Sequence, residues 1–262
     1  MTILKQELKR GKLSLLIWTL SIGFMVLICM MMFPEMKGKT DSVSDMFSSM
    51  GSFTAAFGMD KISLGEIMGF YGIECGNILG LGGAFFAGLL GISALANEEK
   101  NHTAEFLLTH PVSRTRVVFE KLASIITQLF LMNIVIILIS VISFAAIGEE
   151  LPLKEFALLH LAYFLLQFQI SAICFGISAF IRRGNLGIGL GLAAVFYFLN
   201  LIANISEQAD FLKYITPFSY ADSAGILSEV SLDPSYILPG MVCALLGIGL
   251  AFYHYDRKDI AG

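Results

Sequence analysis

Charge is scarce in this chain. Asp, Glu, Lys and Arg make up 15% of its 262 residues, where soluble domains carry about 25%. Together with 56% hydrophobic residues and a mean hydropathy of +0.77, this excludes an ordinary soluble protein and identifies a membrane protein. Cysteine is nearly as sparse. Cys29, Cys75, Cys174 and Cys243 lie in apolar stretches with no CxxC-type spacing, which excludes a disulfide framework or a cysteine zinc site and leaves them as small packing residues. Buried charge is missing too. The polar residues within the apolar stretches include Gln128, Asn133, Gln167, Gln169, Asn200, Asn204 and His160, none permanently charged. Proton- or sodium-driven carriers keep intramembrane carboxylates as relays, and the nearest one here, Glu74, stands only at the boundary of a stretch.

What the chain does have is six runs without Asp, Glu, Lys or Arg: residues 13–34, 75–97, 122–148, 156–181, 184–206 and 234–255. Each is long enough for a helix to cross a bilayer core of about 30 Å, which takes about 20 residues; the next run, 46–59, is too short. The expectation is an all-α protein of six membrane helices forming one transmembrane domain over residues 1–262. The pieces between runs are too small for a separate nucleotide-binding or catalytic domain. The charged start through Lys12 and the length of the first run point to a retained first helix instead of a cleaved signal.

Threading six crossings puts twelve of the 17 Lys and Arg on the side of both termini and five on the other. By the positive-inside rule both termini are expected in the cytoplasm of a cell whose plasma membrane holds the chain. The net charge of −4 conceals this split and indicates no nucleic-acid partner. Ile3, Leu4 and Leu8 among Lys5, Glu7, Lys9, Arg10 and Lys12 suit a short amphipathic helix at the cytoplasmic interface, with Gly11 as its bend; the alternative is a basic flank that only sets topology. On the outer side, Met46, Phe47, Met50, Phe53 and Phe57 before the second run suggest a helix on the outer leaflet. Phe211, Leu212, Tyr214, Ile215, Phe218 and Tyr220 around Pro217 suggest a hairpin dipping back toward the membrane.

In the second run Gly76, Gly80, Ala84 and Gly88 recur every four residues, with Gly83, Ala87 and Gly91 as a second row. Small residues let helices approach closely, so this helix is expected at the centre, packed against its own bundle or against a second copy. Gly187 with Gly191, and Gly240 with Ala244, repeat the motif more weakly. The amides suit interhelical hydrogen bonds; the other reading has Gln167, Gln169, Asn200 and Asn204 facing a substrate path.

Catalytic patterns do not assemble. Gly38-Lys39-Thr40 lacks the upstream glycine of a P-loop, where Phe33 stands. Ser93 and Ser178, each between a glycine and an alanine, faintly resemble intramembrane-protease serines, but His160 is the one histidine deep within a run and spacing makes it partner to neither. Glu98 and Glu99 with His102 and His110 match no zinc spacing.

Residues 98–121 carry more information. Their acidic start suits a helix N-terminus, Pro111 ends that helix, and Ser113 is placed to cap a second helix entering the third run. Phe106, Leu107 and Leu108 would stand among charges as a docking knob for a soluble partner; the alternative is a solvated loop. Glu98, Glu99, Thr103, Glu105, Leu107, Leu108, Pro111, Val112, Ser113, Arg114 and Lys121 resemble the second cytoplasmic segment of ABC-2-type ATP-binding-cassette permeases of the small bacterial exporter type. His102 departs from that pattern, which has glycine there. The resemblance extends to the basic N-terminus, to Pro217-Phe218-Ser219-Tyr220 and to the charged ending Asp256-Arg257-Lys258-Asp259.

The resemblance implies a permease that pairs with a second permease, a copy of itself, and with two separate ATPase subunits. Residues 98–108, Lys100 included, would form a coupling helix seated in the ATPase, with Pro111, Ser113 and Arg114 passing its motion into the membrane. The chain itself would hold no cofactor and would not be an enzyme; ATP and Mg would belong to the partner. The competing classes are a stand-alone carrier or channel and an intramembrane protease. Twenty-two Phe and twelve Met suit amphipathic or antimicrobial peptides, lipids or hydrophobic drugs as cargo, and serve equally as lipid-facing filler.

Overall fold

The computed structural model describes residues 2–37, 51–59, 61–100, 113–181 and 185–257. No strand occurs among them, and six helices are long and apolar enough to cross a membrane. These are α1 (Thr2–Lys37), α3, α4 (Arg114–Ile147), α5 (Leu153–Ser178), α6 (Leu186–Ile205) and α8 (Pro234–Arg257). The helix α3 starts as Ile67–Phe70, passes through two π segments, Tyr71–Cys75 and Ile78–Gly82, and continues as Gly83–Lys100. Each helix contains one of the six charge-free runs or nearly all of it.

The first helix differs from expectation. Residues 2–12 do not form a separate interfacial helix bent at Gly11; they are the opening turns of one unbroken 36-residue helix. Contacts to α4 account for this. Leu4 N–H, a first-turn donor without an intrahelical partner, donates to Glu120 Oε2 at 3.0 Å, and Lys121 Nζ reaches Glu7 Oε1 at 3.2 Å. At the opposite end Lys37 Nζ meets Glu149 Oε1 at 2.7 Å, so α1 and α4 run parallel and are pinned at both ends. Gly148, at φ 73°, closes α4 in the left-handed conformation, and Glu149 N–H then reaches back to Phe144 O.

The described parts of the outer segments hold short helices. Before α3 stands α2 (Ser52–Ala56); Met46, Phe47 and Met50 lie outside the described residues. Between α6 and α8 come two 3₁₀ turns, Glu207–Tyr214 and Ser219–Ala221, and α7 (Ser223–Glu229), which Asp222 caps by accepting from Gly225 N–H. Thr216 ties this segment down by donating to Phe196 O at 2.7 Å.

The most buried spans are α3 and α5, at the centre of the bundle. A four-residue spacing overshoots an α-helical turn by about 40° per step, so the Gly76 row would drift around an ideal helix. The wider π turns absorb part of this overshoot where the row begins. A Cβ on Gly88 would stand 2.6 Å from Gly189 O of α6, and one on Gly91 would collide with Ser171 O of α5. Gly176 and Gly247 bring α5 and α8 equally close, at 2.7 Å. Small residues thus set the approach of α3, α5, α6 and α8.

Candidate functional site

The two ends of residues 98–114 fall on rigid elements. Glu98, Glu99 and Lys100 form the last turn of α3, while Ser113 and Arg114 open α4; Thr103, Glu105, Phe106, Leu107, Leu108 and Pro111 lie outside the described residues. Ser113 caps α4 as anticipated, its Oγ accepting from Arg116 N–H at 3.3 Å. Arg114 does more than the sequence indicated. Its guanidinium donates to Asp256 O at 3.0 Å and Tyr255 O at 3.4 Å, satisfying last-turn carbonyls of α8 with a cation where the helix dipole favours one.

Nearly two turns further on, Glu120 is 6% exposed and accepts from Arg116 Nε at 2.9 Å as well as from Leu4 N–H. Lys121, 2% exposed, holds Glu7. The start of α4 is therefore fastened to the start of α1 and the end of α8. Glu7, Arg116 and Glu120 were not singled out in the sequence. The i, i+4 pairing of Arg116 with Glu120 and their place at the edge of a charge-free run were the available signals.

The Gly76 row is spent inside the chain. Gly76 faces Tyr163 and Ser223, Gly80 faces Tyr163 and Phe218, Ala84 is fully buried, and Gly88 meets Gly189. In this chain that face is occupied by neighbouring helices.

The four amides considered for a substrate path do not converge. Gln167 is 1% exposed and accepts from Asn133 Nδ2 at 2.6 Å, joining α4 to α5. Two residues on, Gln169 faces α8 instead, its Nε2 reaching Ile237 O at 3.4 Å and its amide filling the space above Gly240. Asn204 donates to Ala56 O at 3.3 Å, holding α2. Asn200 borders a cavity of about 40 Å³ shared with Asn77, Tyr197 and Ser223, Gln169 borders an apolar recess of about 530 Å³, and Asn200 Oδ1 and Gln169 Oε1 both lack a hydrogen-bond partner among the described residues. Gln167 and Asn204 make bonds to other elements, while Asn200 and Gln169 each border a cavity.

His160 joins a buried cluster, its Nε2 2.9 Å from Tyr71 Oη, which is also 2.9 Å from Ser140 Oγ. Ser178 lies five turns from His160 along α5, about 27 Å, and donates to Phe175 O. Ser93 sits at the opposite end of α3 from Tyr71. Among the described residues no serine stands beside His160 as a nucleophile beside its base.

The arrangement is a bundle of six apolar helices with a braced, charge-paired end and no assembled reaction centre among the described residues. Among curated proteins no match is found. The family model described as "ABC-2 family transporter protein" matches residues 1–260, nearly the whole chain. Membrane subunits of that family are generally not enzymes themselves and associate with an ABC ATPase subunit. The chain belongs to the ABC-2 transporter family, as a multi-pass permease of an ABC transporter.

Proposed function

We propose that this permease is an exporter that pairs with a second copy of itself and with two ATPase subunits, which bind ATP and Mg. The end carrying both termini is cytoplasmic, in keeping with twelve Lys and Arg on that side against five on the other. Residues 98–108 dock in the ATPase. The observation that carries this reading is the bracing of α4 at the exit of that segment, by the Ser113 cap and the bonds from Arg114 to Tyr255 O and Asp256 O. Closure of the ATPases presses the coupling segments, and the braced helix starts pass the movement to α1, α4 and α8 together. The cargo is amphipathic peptide, antimicrobial ones among them, or hydrophobic drug. An apolar recess of about 530 Å³ between α5, α6 and α8, bordered by Phe180, Phe196, Pro217 and Leu250, supports that class.

A double substitution, Glu99→Arg with Leu107→Arg, tests the coupling assignment. Co-purification with the ATPase and transport are expected to be lost while membrane insertion is unchanged. Normal transport by this variant overturns the assignment. A stand-alone carrier has less support, since Gln167 and Asn204 are engaged in holding the bundle.

A further inference from the structure

The ion pairs of α1 fasten it to α4. Against α3 the same helix sets a pair of thiols. Cys75 closes the first π segment of α3, is fully buried, and donates from Sγ to Val26 O of α1 at 3.9 Å. Cys29 stands on α1 about one turn beyond Val26, half-buried, and its thiol hydrogen-bonds that of Cys75. Cys29 also packs against the core cluster that holds Cys75. Both thiols are free, and the other two cysteines stand on different helices, Cys174 on α5 and Cys243 on α8. Nothing in the spacing of Cys29 and Cys75 along the sequence announces the pair; helix packing makes it.

The pair lies toward the end where Lys37 meets Glu149, away from the termini. Cys29 precedes Lys37 by eight residues, about 12 Å along the helix. With the termini cytoplasmic, this is the external half of the membrane, the side on which disulfides form and persist. A sulfur–sulfur bond is about 2 Å long, so closing it asks two helices already in contact for a small further approach. Cys75 moreover ends a π segment, a helical form that recurs at functional positions.

We infer that Cys29 and Cys75 form a reversible disulfide that staples α1 to α3 in the outer half of the bundle. The oxidant is an apolar disulfide entering from the lipid. Cys29, the more accessible thiol, attacks it, forming a mixed disulfide and releasing one thiol of the oxidant. Cys75 then attacks the Cys29 sulfur, the bond between the two cysteines forms, and the second thiol leaves. Both cysteines are oxidised, the disulfide of the oxidant takes the two electrons, and the two protons depart on its thiols. That the oxidant comes from outside the cell rests on the orientation proposed above; the bond itself does not.

The test treats the full chain with its ATPase partner, in lipid nanodiscs, with dithiodipyridine, an apolar disulfide. Remaining thiols are alkylated and the joined cysteines identified by peptide mass spectrometry. The expected result is a peptide linking Cys29 to Cys75, lost on reduction with dithiothreitol, while Cys75→Ser stops at the mixed disulfide on Cys29. Closure of the mixed disulfide is expected to be at least about tenfold faster in the folded chain than in the chain unfolded in SDS, because the fold holds the second thiol beside the first. Cys29 left free or held as a lasting mixed disulfide in the wild-type chain, a link from it to Cys174 or Cys243, or equal rates in the two states overturns the inference. Dithiodipyridine reaches the pair from either face, so an error in the orientation leaves this result intact.

Discussion

The helices α5 and α8 lie side by side with nearly the same mean hydropathy, yet 67% of the most apolar stretch of α5 is buried inside the bundle and only 11% of that of α8. Their polar content explains the difference. In α5 it consists of His160, Gln167, Gln169, Ser171 and Ser178, groups that need partners and find them on neighbouring helices or their own backbone. In α8 hydropathy is lowered by glycine, Pro239 and tyrosine, which demand little from neighbours. The exposed face of α8, with Leu238, Val242, Leu245, Leu246 and Leu250, is left to lipid or a second copy. In hydrocarbon, where apolar surface gains nothing by turning inward, the need to satisfy polar groups and the fit of small residues decide which helix is central.

Substitutions can break or sharpen this contrast. The largest effect is expected at Gly91, whose added side chain meets the backbone of α5. Gly91→Leu should destabilise the purified chain by about 3 kcal/mol or more, read as a fall in its thermal unfolding midpoint. Gly249→Leu on α8, with nothing within 4 Å, should change it by less than about 0.5 kcal/mol. Equal damage from the two would break the comparison.

Next comes the amide pair. Asn133→Leu leaves Gln167 Oε1 buried without its donor and should cost about 1–2 kcal/mol, of which Gln167→Leu in the same chain restores part. The measurement is a double-mutant cycle on unfolding. By contrast Gln169→Leu gives up only the 3.4 Å bond from Nε2 to Ile237 O and removes an Oε1 that lacks a partner among the described residues, so it should cost less, about 1 kcal/mol at most.

A smaller effect on stability, about 1 kcal/mol or less, is expected from Arg114→Gln, which loosens α4 from α8. Its larger consequence should be on function: cargo-stimulated ATP hydrolysis by the complex falls while basal hydrolysis persists. Stimulation equal to wild type would mean that α8 does not share the movement of α4. The smallest effect is expected from Leu245→Ala on the exposed face of α8, within about 0.5 kcal/mol in unfolding of the single chain. A drop in cross-linked dimer from that same change would assign the face to a second copy instead of lipid.

Much of this was determined by the sequence alone, because it depends on local properties. A charge-free run of sufficient length makes a membrane helix wherever it occurs, and a serine before a helical run caps it, so the six spans and the Ser113 cap could be read directly. The small-residue row announced close packing for the same reason. Its partners could not be read. That Gly88 meets Gly189, that Gly91 meets Ser171, and that Gly11 makes room for Gln128 depend on which faces meet in three dimensions. The N-terminal residues show the limit most clearly: their amphipathic pattern suited an interfacial helix, and what made them part of α1 was a carboxylate 116 positions away, Glu120 accepting from Leu4 N–H. Periodicity tells what a segment can do in isolation. Only the assembled bundle supplies the distant donors, acceptors and voids that select one of those possibilities.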